Sequence, residues 1–206
     1  MSDSKQQAEE FKALVEAKIK RLVSDFAEGK ISREQFHLLY ARYNSRLAIT
    51  DHALLSGNPD AVQIAQTGPP TMVIKDATMG KVVGILIYHN MSSKTLETLG
   101  DFNLPFSLLE PILDDFTLRM VTRQLAAPRM EKIGKTHWVL FNAGQFVTVV
   151  TLFINEPSQM QIRELDRLLH DFEQANHPEL IRPQINVDKL AYPFMAFIKK
   201  KFGKSS

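Results

Sequence analysis

Apolar residues follow a helical spacing through the first part of the chain. They recur every three or four positions over residues 8–26 and again over residues 32–55, which is typical of amphipathic helices. Between the two runs, Gly29 is expected to end the first helix in the left-handed conformation. Ser32 and Gln35 have the spacing of a capping box that begins the second helix. The pattern therefore predicts an N-terminal helical hairpin.

A second pattern appears in the later part of the chain, where apolar residues run together. Residues 146–154 carry no charge and are almost all β-branched or aromatic, which predicts a central strand covered on both faces. A partner strand over 135–142 precedes it across the turn at 142–145, where Asn and Gly tolerate positive φ. The amphipathic helix predicted over 158–176 is expected to cover the uncharged strand and to leave no reactive cleft there.

The remaining patterns complete an α+β fold. The segments predicted as further strands are 71–75, 82–89 and 129–133, and those predicted as helices are a short piece at 92–99 and a long one at 105–125. In the second of these strands Gly84 is expected to mark a bulge or a close helix crossing. Strand pairs with short turns favour a central antiparallel sheet of about five strands flanked by helices.

The composition of residues 57–70 indicates a linker. This stretch is rich in Gly, Pro, Asn, Gln and Thr, and its Pro69-Pro70 pair favours an extended chain. We therefore divide the chain into a helical hairpin (1–56), a linker (57–70), an α+β domain (71–180) and a C-terminal tail (181–206).

The hairpin resembles the short SHOCT-type hairpin of bacteria. The resemblance covers about 30 residues and rests on a Gly-x-Ile-Ser/Thr-x-x-x-Phe core, matched here by Gly29, Ile31, Ser32 and Phe36. A hairpin of this size cannot bury its apolar stripe by itself. It therefore either packs within the protein or serves as a docking or self-association hairpin. For the docking alternative, the candidate contact residues are Phe26, Ile31, Phe36, Tyr40 and Tyr43.

Residues 71–180 resemble the longin and roadblock group of small domains, which share a central antiparallel sheet flanked by helices. The resemblance rests on element order and on the closing pattern of 138–142, 146–154 and 165–176. It implies a non-catalytic platform that binds small GTPases or membrane-traffic and motility partners. PAS, GAF and profilin-like domains have related layouts. The alternative function is therefore a PAS- or GAF-like sensor, with a small molecule between the sheet and the 105–125 helix and with Trp138, Phe141 and Phe146 lining its pocket.

Composition excludes several kinds of chemistry. The 206 residues include no Cys, so disulfides, thiolate catalysis and Cys-ligated zinc are ruled out. We find no phosphate-binding loop, dinucleotide fingerprint or nucleophile elbow, and no pair of the six His has a recognised metal spacing. Asp114 and Asp115 point about 100° apart on a helix and do not converge. The sequence thus predicts no catalytic residue, no metal and no cofactor, and an enzyme remains only an unsupported alternative.

The C-terminal tail turns from apolar to basic. In a helix, Phe197 and Phe202 would lie on one side and four lysines around the other: Lys199, Lys200, Lys201 and Lys204. Such a helix either docks on the body with a solvated basic end or contacts an anionic membrane or an acidic partner.

Charge and hydropathy indicate where the protein acts and what it binds. With a net charge of +2 and no apolar signal-peptide core or membrane-length run, we expect a cytoplasmic protein, either free or peripheral at the inner membrane surface. Its expected partner is a protein, such as a small GTPase, or a second copy of the chain. The small net charge argues against nucleic acid.

Overall fold

A computed structural model describes residues 2–57, 63, 65–67, 69–121, 127–182 and 184–192. The chain forms two compact units: Met1–Met79 with Ser158–Met160, and Gly80–Pro157 with Gln161–Ser206. Seven of the fourteen residues of the predicted linker, 57–70, lie outside the described residues, and residues 63, 65 and 66 among the others are helical. No helix in the described ranges combines the length and apolar character needed to cross a membrane.

The first unit contains three helices with described bounds: α1 (Ser2–Ala27), α2 (Arg33–Ser56) and α3 (Thr71–Thr78). The predicted helix signals between α1 and α2 are confirmed. Gly29 has a φ of 75°. The backbone N–H of Gln35 donates to Ser32 Oγ, and the N–H of Ser32 donates to Gln35 Oε1, both at 3.2 Å. This reciprocal capping box satisfies two donors that a helix start leaves open, which is why α2 begins there.

The strand predicted over residues 71–75 is wrong, because this segment is helix α3. Ile74 packs on the hairpin core formed by Val15, Leu22, Ile31, Leu39 and Tyr43. The Gln35 side chain also donates from Nε2 to the Lys75 carbonyl at 2.8 Å. A short apolar run does not by itself distinguish a strand from a helix, and here the contact with the hairpin decides.

The second unit is an α+β layer whose elements follow the chain in this order: β1 (Lys81–His89), β2 (Lys94–Gly100), α4 (Phe106–Val121), β3 (Arg129–Ile133), β4 (His137–Ala143), β5 (Val147–Ile154), α5 (Gln159–Leu180) and a 3₁₀ turn (Val187–Lys189). The first two residues of α5 are counted in the first unit. The end predicted for α4, at residue 125, falls outside the described residues.

The five strands form one antiparallel sheet in the order β2-β1-β5-β4-β3. The uncharged strand β5 lies at the centre, which confirms its predicted place. Leu165, Leu169 and Phe172 of α5 share one core with one face of the sheet. Leu109, Leu113 and Phe116 of α4 share a second core with the opposite face. The predicted α+β class, an antiparallel sheet of five strands flanked by helices, is confirmed.

The short helix predicted over 92–99 is wrong, because β2 occupies most of this segment. Leu96 and Leu99 are three residues apart, a helical spacing, yet both pack on the α5-side core. A bulge explains this: the pairing of β1 with β2 shifts register between Ile87 and Tyr88. The extra residue in β2 changes the side-chain alternation and brings both leucines to one face.

Candidate functional site

Three stacked rings lie along the α1–α2 hairpin; we call Phe26, Phe36 and Tyr40 the aromatic strip. The Phe26 and Phe36 ring centroids are 4.5 Å apart, and those of Phe36 and Tyr40 are 5.4 Å apart. Phe26 and Tyr40 each remain 38% exposed. The rings therefore support one another but are not covered, which leaves apolar surface at this end of the hairpin.

The structure separates the five residues predicted for a docking hairpin into two groups. Ile31 is 2% exposed and Tyr43 is 8% exposed, so both belong to the internal core of the hairpin. The other three residues form the aromatic strip. The two buried residues hold the helices together, and only the strip is accessible to a partner.

Charged residues surround the loop between α1 and α2. Lys30 forms an ion pair with Glu28, and Asp25 lies 3.5 Å from Lys75. Hydrogen bonding to Glu28 raises the pKa of Lys30, and hydrogen bonding to Lys30 lowers the pKa of Glu28. The strip thus has polar neighbours of both signs beside it, an arrangement in which a partner would meet an apolar centre and a charged rim.

A second feature lies inside the sheet of the second unit, on the face covered by α5. Alternation along the strands places four buried polar side chains on this face; we call them the polar stripe: His89, Trp138, Asn142 and Thr151. Thr151 pairs with Leu140, so Trp138 and Asn142 are its two diagonal neighbours on β4. Diagonal neighbours in an antiparallel sheet are about 7–8 Å apart, within reach of aromatic and long side chains.

Most atoms of the polar stripe lack hydrogen-bond partners. In the described part of the chain, seven buried side-chain N and O atoms have no partner, and five of them belong to the stripe. These are both amide atoms of Asn142, Thr151 Oγ1, Trp138 Nε1 and His89 Nε2. Outside the stripe, Thr148 Oγ1 donates to Asn90 Oδ1 at 2.8 Å, although Asn90 Nδ2 has no partner. Unpartnered atoms are therefore concentrated beneath α5.

His89 forms one end of the stripe. Its Nδ1 lies 2.8 Å from Ser92 Oγ, while its Nε2 has no partner in hydrogen-bonding geometry. Burial lowers the pKa of His89, and the Leu180 backbone opposes that shift in part. The ring therefore favours its neutral form in the folded protein.

Sequence reasoning did not identify the stripe as a polar group. The sequence pattern indicates a turn residue at Asn142, a residue of an apolar strand at Thr151 and a core residue at Trp138. The pocket proposed for the alternative function is also wrong as placed, because its residues do not converge on α4. Phe141 faces α4, whereas Trp138 faces α5.

The turn between β4 and β5 is held by one carboxylate from α5. Glu173 accepts hydrogen bonds from the backbone N–H groups of Gln145, Phe146 and Val147, at 2.9, 2.6 and 3.0 Å. Three donors converging on one charged acceptor fix the turn against the helix.

Replacing Glu173 by alanine should therefore lower the free energy of unfolding by about 2–4 kcal/mol, because three turn N–H groups lose a charged acceptor. Urea denaturation followed by Trp138 fluorescence measures the effect. Glu164→Ala, an exposed glutamate on the same helix, is the matched control and should change stability by less than about 0.5 kcal/mol. Equal losses in the two variants would contradict a role for the turn contacts.

The C-terminal segment is anchored by Asn176. Its Nδ2 donates to the Ala191 carbonyl at 2.8 Å, and the Ala191 N–H donates to its Oδ1 at 2.7 Å. Burial, with Glu97 and Asp188 adding to it, raises the pKa of Tyr192 to about 12. The residues predicted for membrane or acidic-partner contact lie outside the described residues: Phe197, Lys199, Lys200, Lys201, Phe202 and Lys204. That role stays a prediction.

Within the described ranges, no group of three or more His, Asp or Glu side chains is placed to hold a metal ion. Comparison with protein-family models, with curated proteins and with solved structures gave no match. The exposed aromatic strip is therefore the basis for the function proposed below.

Proposed function

We propose that this protein is a non-catalytic interaction module whose aromatic strip binds a partner protein. The observation that carries the proposal is that Phe26 and Tyr40 stay 38% exposed although both stack on Phe36. Aromatic side chains lose little conformational entropy on binding and dominate the hot spots of protein interfaces. Rings that already stack hold one another in place, which lowers the cost of ordering them further.

Two other features support this function. Of the three rings of the strip only Phe36 packs against the hairpin core, so the exposed rings of Phe26 and Tyr40 lie outside that core. The second unit has the central sheet with a helix on each face that the longin and roadblock resemblance implies. That resemblance favours a small GTPase, or a complex containing one, as the partner. A second copy of the chain is the other candidate.

Site-specific photocrosslinking tests the proposal. A benzophenone amino acid replaces Tyr40 in the full chain, and the same amino acid replaces Ala48, an exposed position further along α2, as the control. After irradiation in cells that express the protein naturally, we expect a defined covalent adduct from position 40 and none from position 48. Mass spectrometry of the adduct distinguishes a GTPase, another protein and a second copy.

The outcome that contradicts the proposal is equally defined. If position 40 and position 48 give the same adducts, or if position 40 gives none, the strip is not an interface. A Phe26→Ser variant in the position-40 background provides a further check. Loss of one ring of the strip should weaken the adduct at least about tenfold, the effect of a hot spot worth more than about 1.4 kcal/mol.

A further inference from the structure

The outer surface of α4 combines exposed apolar side chains with acidic ones. We call it the α4 face and define it by five exposed residues: Phe106, Leu108, Glu110, Pro111 and Asp114. We infer that the α4 face binds the basic terminal segment of the same chain, residues 193–206. This contact involves neither the aromatic strip nor its partner, so it goes beyond the proposed function and does not depend on it.

The apolar residues of the α4 face lie outside the core of the second unit. The helix turns Leu109, Leu113 and Phe116 toward the sheet, where each is at most 3% exposed. Leu108 remains 53% exposed, and Phe106 remains 42% exposed although its ring contacts Tyr88. Covering apolar side chains that stand together on one helix is favourable, which gives a docked segment its apolar anchoring points.

Charge identifies the kind of segment that fits. Residues 101–118 contain four acidic residues and no Lys or Arg, and the first basic residue after them is Arg119. The acidic residues are Asp101, Glu110, Asp114 and Asp115. By contrast, α1, α2 and α5 each carry Lys or Arg among their acidic residues. The α4 face therefore favours a partner that is both apolar and basic.

The terminal segment has this composition. Residues 193–206 contain four lysines and no Asp or Glu, and three phenylalanines stand among or before the lysines. The lysines are Lys199, Lys200, Lys201 and Lys204, and the phenylalanines are Phe194, Phe197 and Phe202. The segment thus matches the α4 face in both properties, with apolar side chains for its exposed apolar residues and positive charges for its carboxylates.

The described residues end where the terminal segment can reach the α4 face. Tyr192 packs with Leu96 and Leu99 of β2 on the α5-side core. Among the described strands β2 is an outermost one, and the chain passes from it through residues 101–105 into α4. The fourteen residues after Tyr192 span up to about 46 Å when extended. Passing the sheet edge and a helix of about 10–12 Å diameter requires roughly half of that length.

The contact makes the α4 face a competitor of external partners. It engages the same lysines and phenylalanines that the sequence predicts for an anionic membrane or an acidic partner. The terminal segment cannot occupy both at once, so docking on α4 withholds it from those partners. Because the attraction is between exposed charges, salt should weaken it.

Paramagnetic nuclear magnetic resonance tests the inference on the full chain. The sequence contains no Cys, so Ser205→Cys supplies a unique thiol for a nitroxide label. In the isotope-labelled protein, the backbone amide signals of Leu108 and Ile112 should lose most of their intensity, because a nearby nitroxide broadens them. Signals of Arg163 and Arg167, which are exposed on α5, should keep theirs. A mixture of nitroxide-carrying protein with isotope-labelled protein that lacks the nitroxide detects contacts between copies and should show no loss.

An exchange of charges shows whether the match is electrostatic. Glu110→Lys/Asp114→Lys should restore the α4 signals, because like charges then face each other. Adding Lys199→Glu, Lys200→Glu and Lys201→Glu to that variant should bring the loss of intensity back. Asp166→Lys/Asp171→Lys, which reverses two exposed carboxylates on α5, is the matched control and should leave the α4 signals as weak as in the unsubstituted background.

Three results would overturn the inference. The first is full intensity at Leu108 and Ile112 in the nitroxide-labelled chain without charge substitutions. The second is a loss of intensity that survives Glu110→Lys/Asp114→Lys or that the exchanged charges do not bring back. The third is a loss in the mixed sample, which would assign the α4 face to the terminal segment of a second copy.

Discussion

Replacing Gly100 by alanine is expected to destabilise the second unit by roughly 3–5 kcal/mol, for two reasons that add. Gly100 has a φ of 72°, a left-handed conformation that costs an L-residue about 1–2 kcal/mol. An added Cβ would also lie 2.6 Å from the Val83 carbonyl oxygen, which belongs to the neighbouring strand β1. Backbone cannot move aside without breaking the pairing of β1 with β2, so the clash is not relieved by side-chain rotation.

Gly134 provides a matched control for this prediction. Its φ of 66° imposes the same backbone strain, but an added Cβ would meet nothing within 4 Å. Gly134→Ala should therefore cost only about 1–2 kcal/mol. Urea denaturation followed by the fluorescence of Trp138, the single Trp of the chain, measures both variants in the second unit. Equal losses would show that the close approach to Val83 contributes nothing.

Phe172→Ala should lower the free energy of unfolding by about 3–5 kcal/mol, the usual cost of removing a fully buried aromatic ring. Phe172 is 0% exposed and lies in the core between α5 and the sheet. Its ring also contacts Tyr192, with centroids 5.8 Å apart. The substitution leaves a cavity at the centre of this core, and the same fluorescence-detected urea transition should move to lower denaturant concentration.

The control for Phe172 is an apolar residue just beyond the end of the same helix. Ile181 is 55% exposed, so Ile181→Ala should change stability by less than about 0.5 kcal/mol. A cost below about 1 kcal/mol for Phe172→Ala would contradict the packing of α5 on the sheet. Such a result would also mean that α5 does not cover the sheet face on which Asn142 and Thr151 lie.

Features that depend on neighbours in sequence were predictable. The capping box of Ser32 and Gln35 involves residues three positions apart, and Gly29 ends α1 by its own backbone preference. Gly84 was expected at a bulge or close crossing. The register of β1 with β5 shifts between Val82 and Gly84, and an added Cβ would lie 2.8 Å from the Asp101 backbone. Such preferences act within a few residues, so a single sequence reveals them.

The two wrong assignments share a physical cause. In 71–75 an apolar run suggested a strand, and in 92–99 leucines three residues apart suggested a helix. Contact with the hairpin core makes the first a helix, and pairing with β1 across a bulge makes the second an edge strand. In short segments, such long-range contacts contribute more to stability than the intrinsic helix or strand propensity of the residues. The contacts therefore override the local pattern.

The sequence by itself determined the hairpin, the α+β class and the central place of the uncharged strand, because periodicity, capping and charge are carried by adjacent residues. Only the tertiary structure decided which rings of the hairpin stay exposed and which polar side chains face α5. Strand register sets the face on which Asn142 and Thr151 lie, and register is fixed by pairing between distant segments. The exposure of the aromatic strip and the position of the polar stripe therefore arise from contacts that no local pattern encodes.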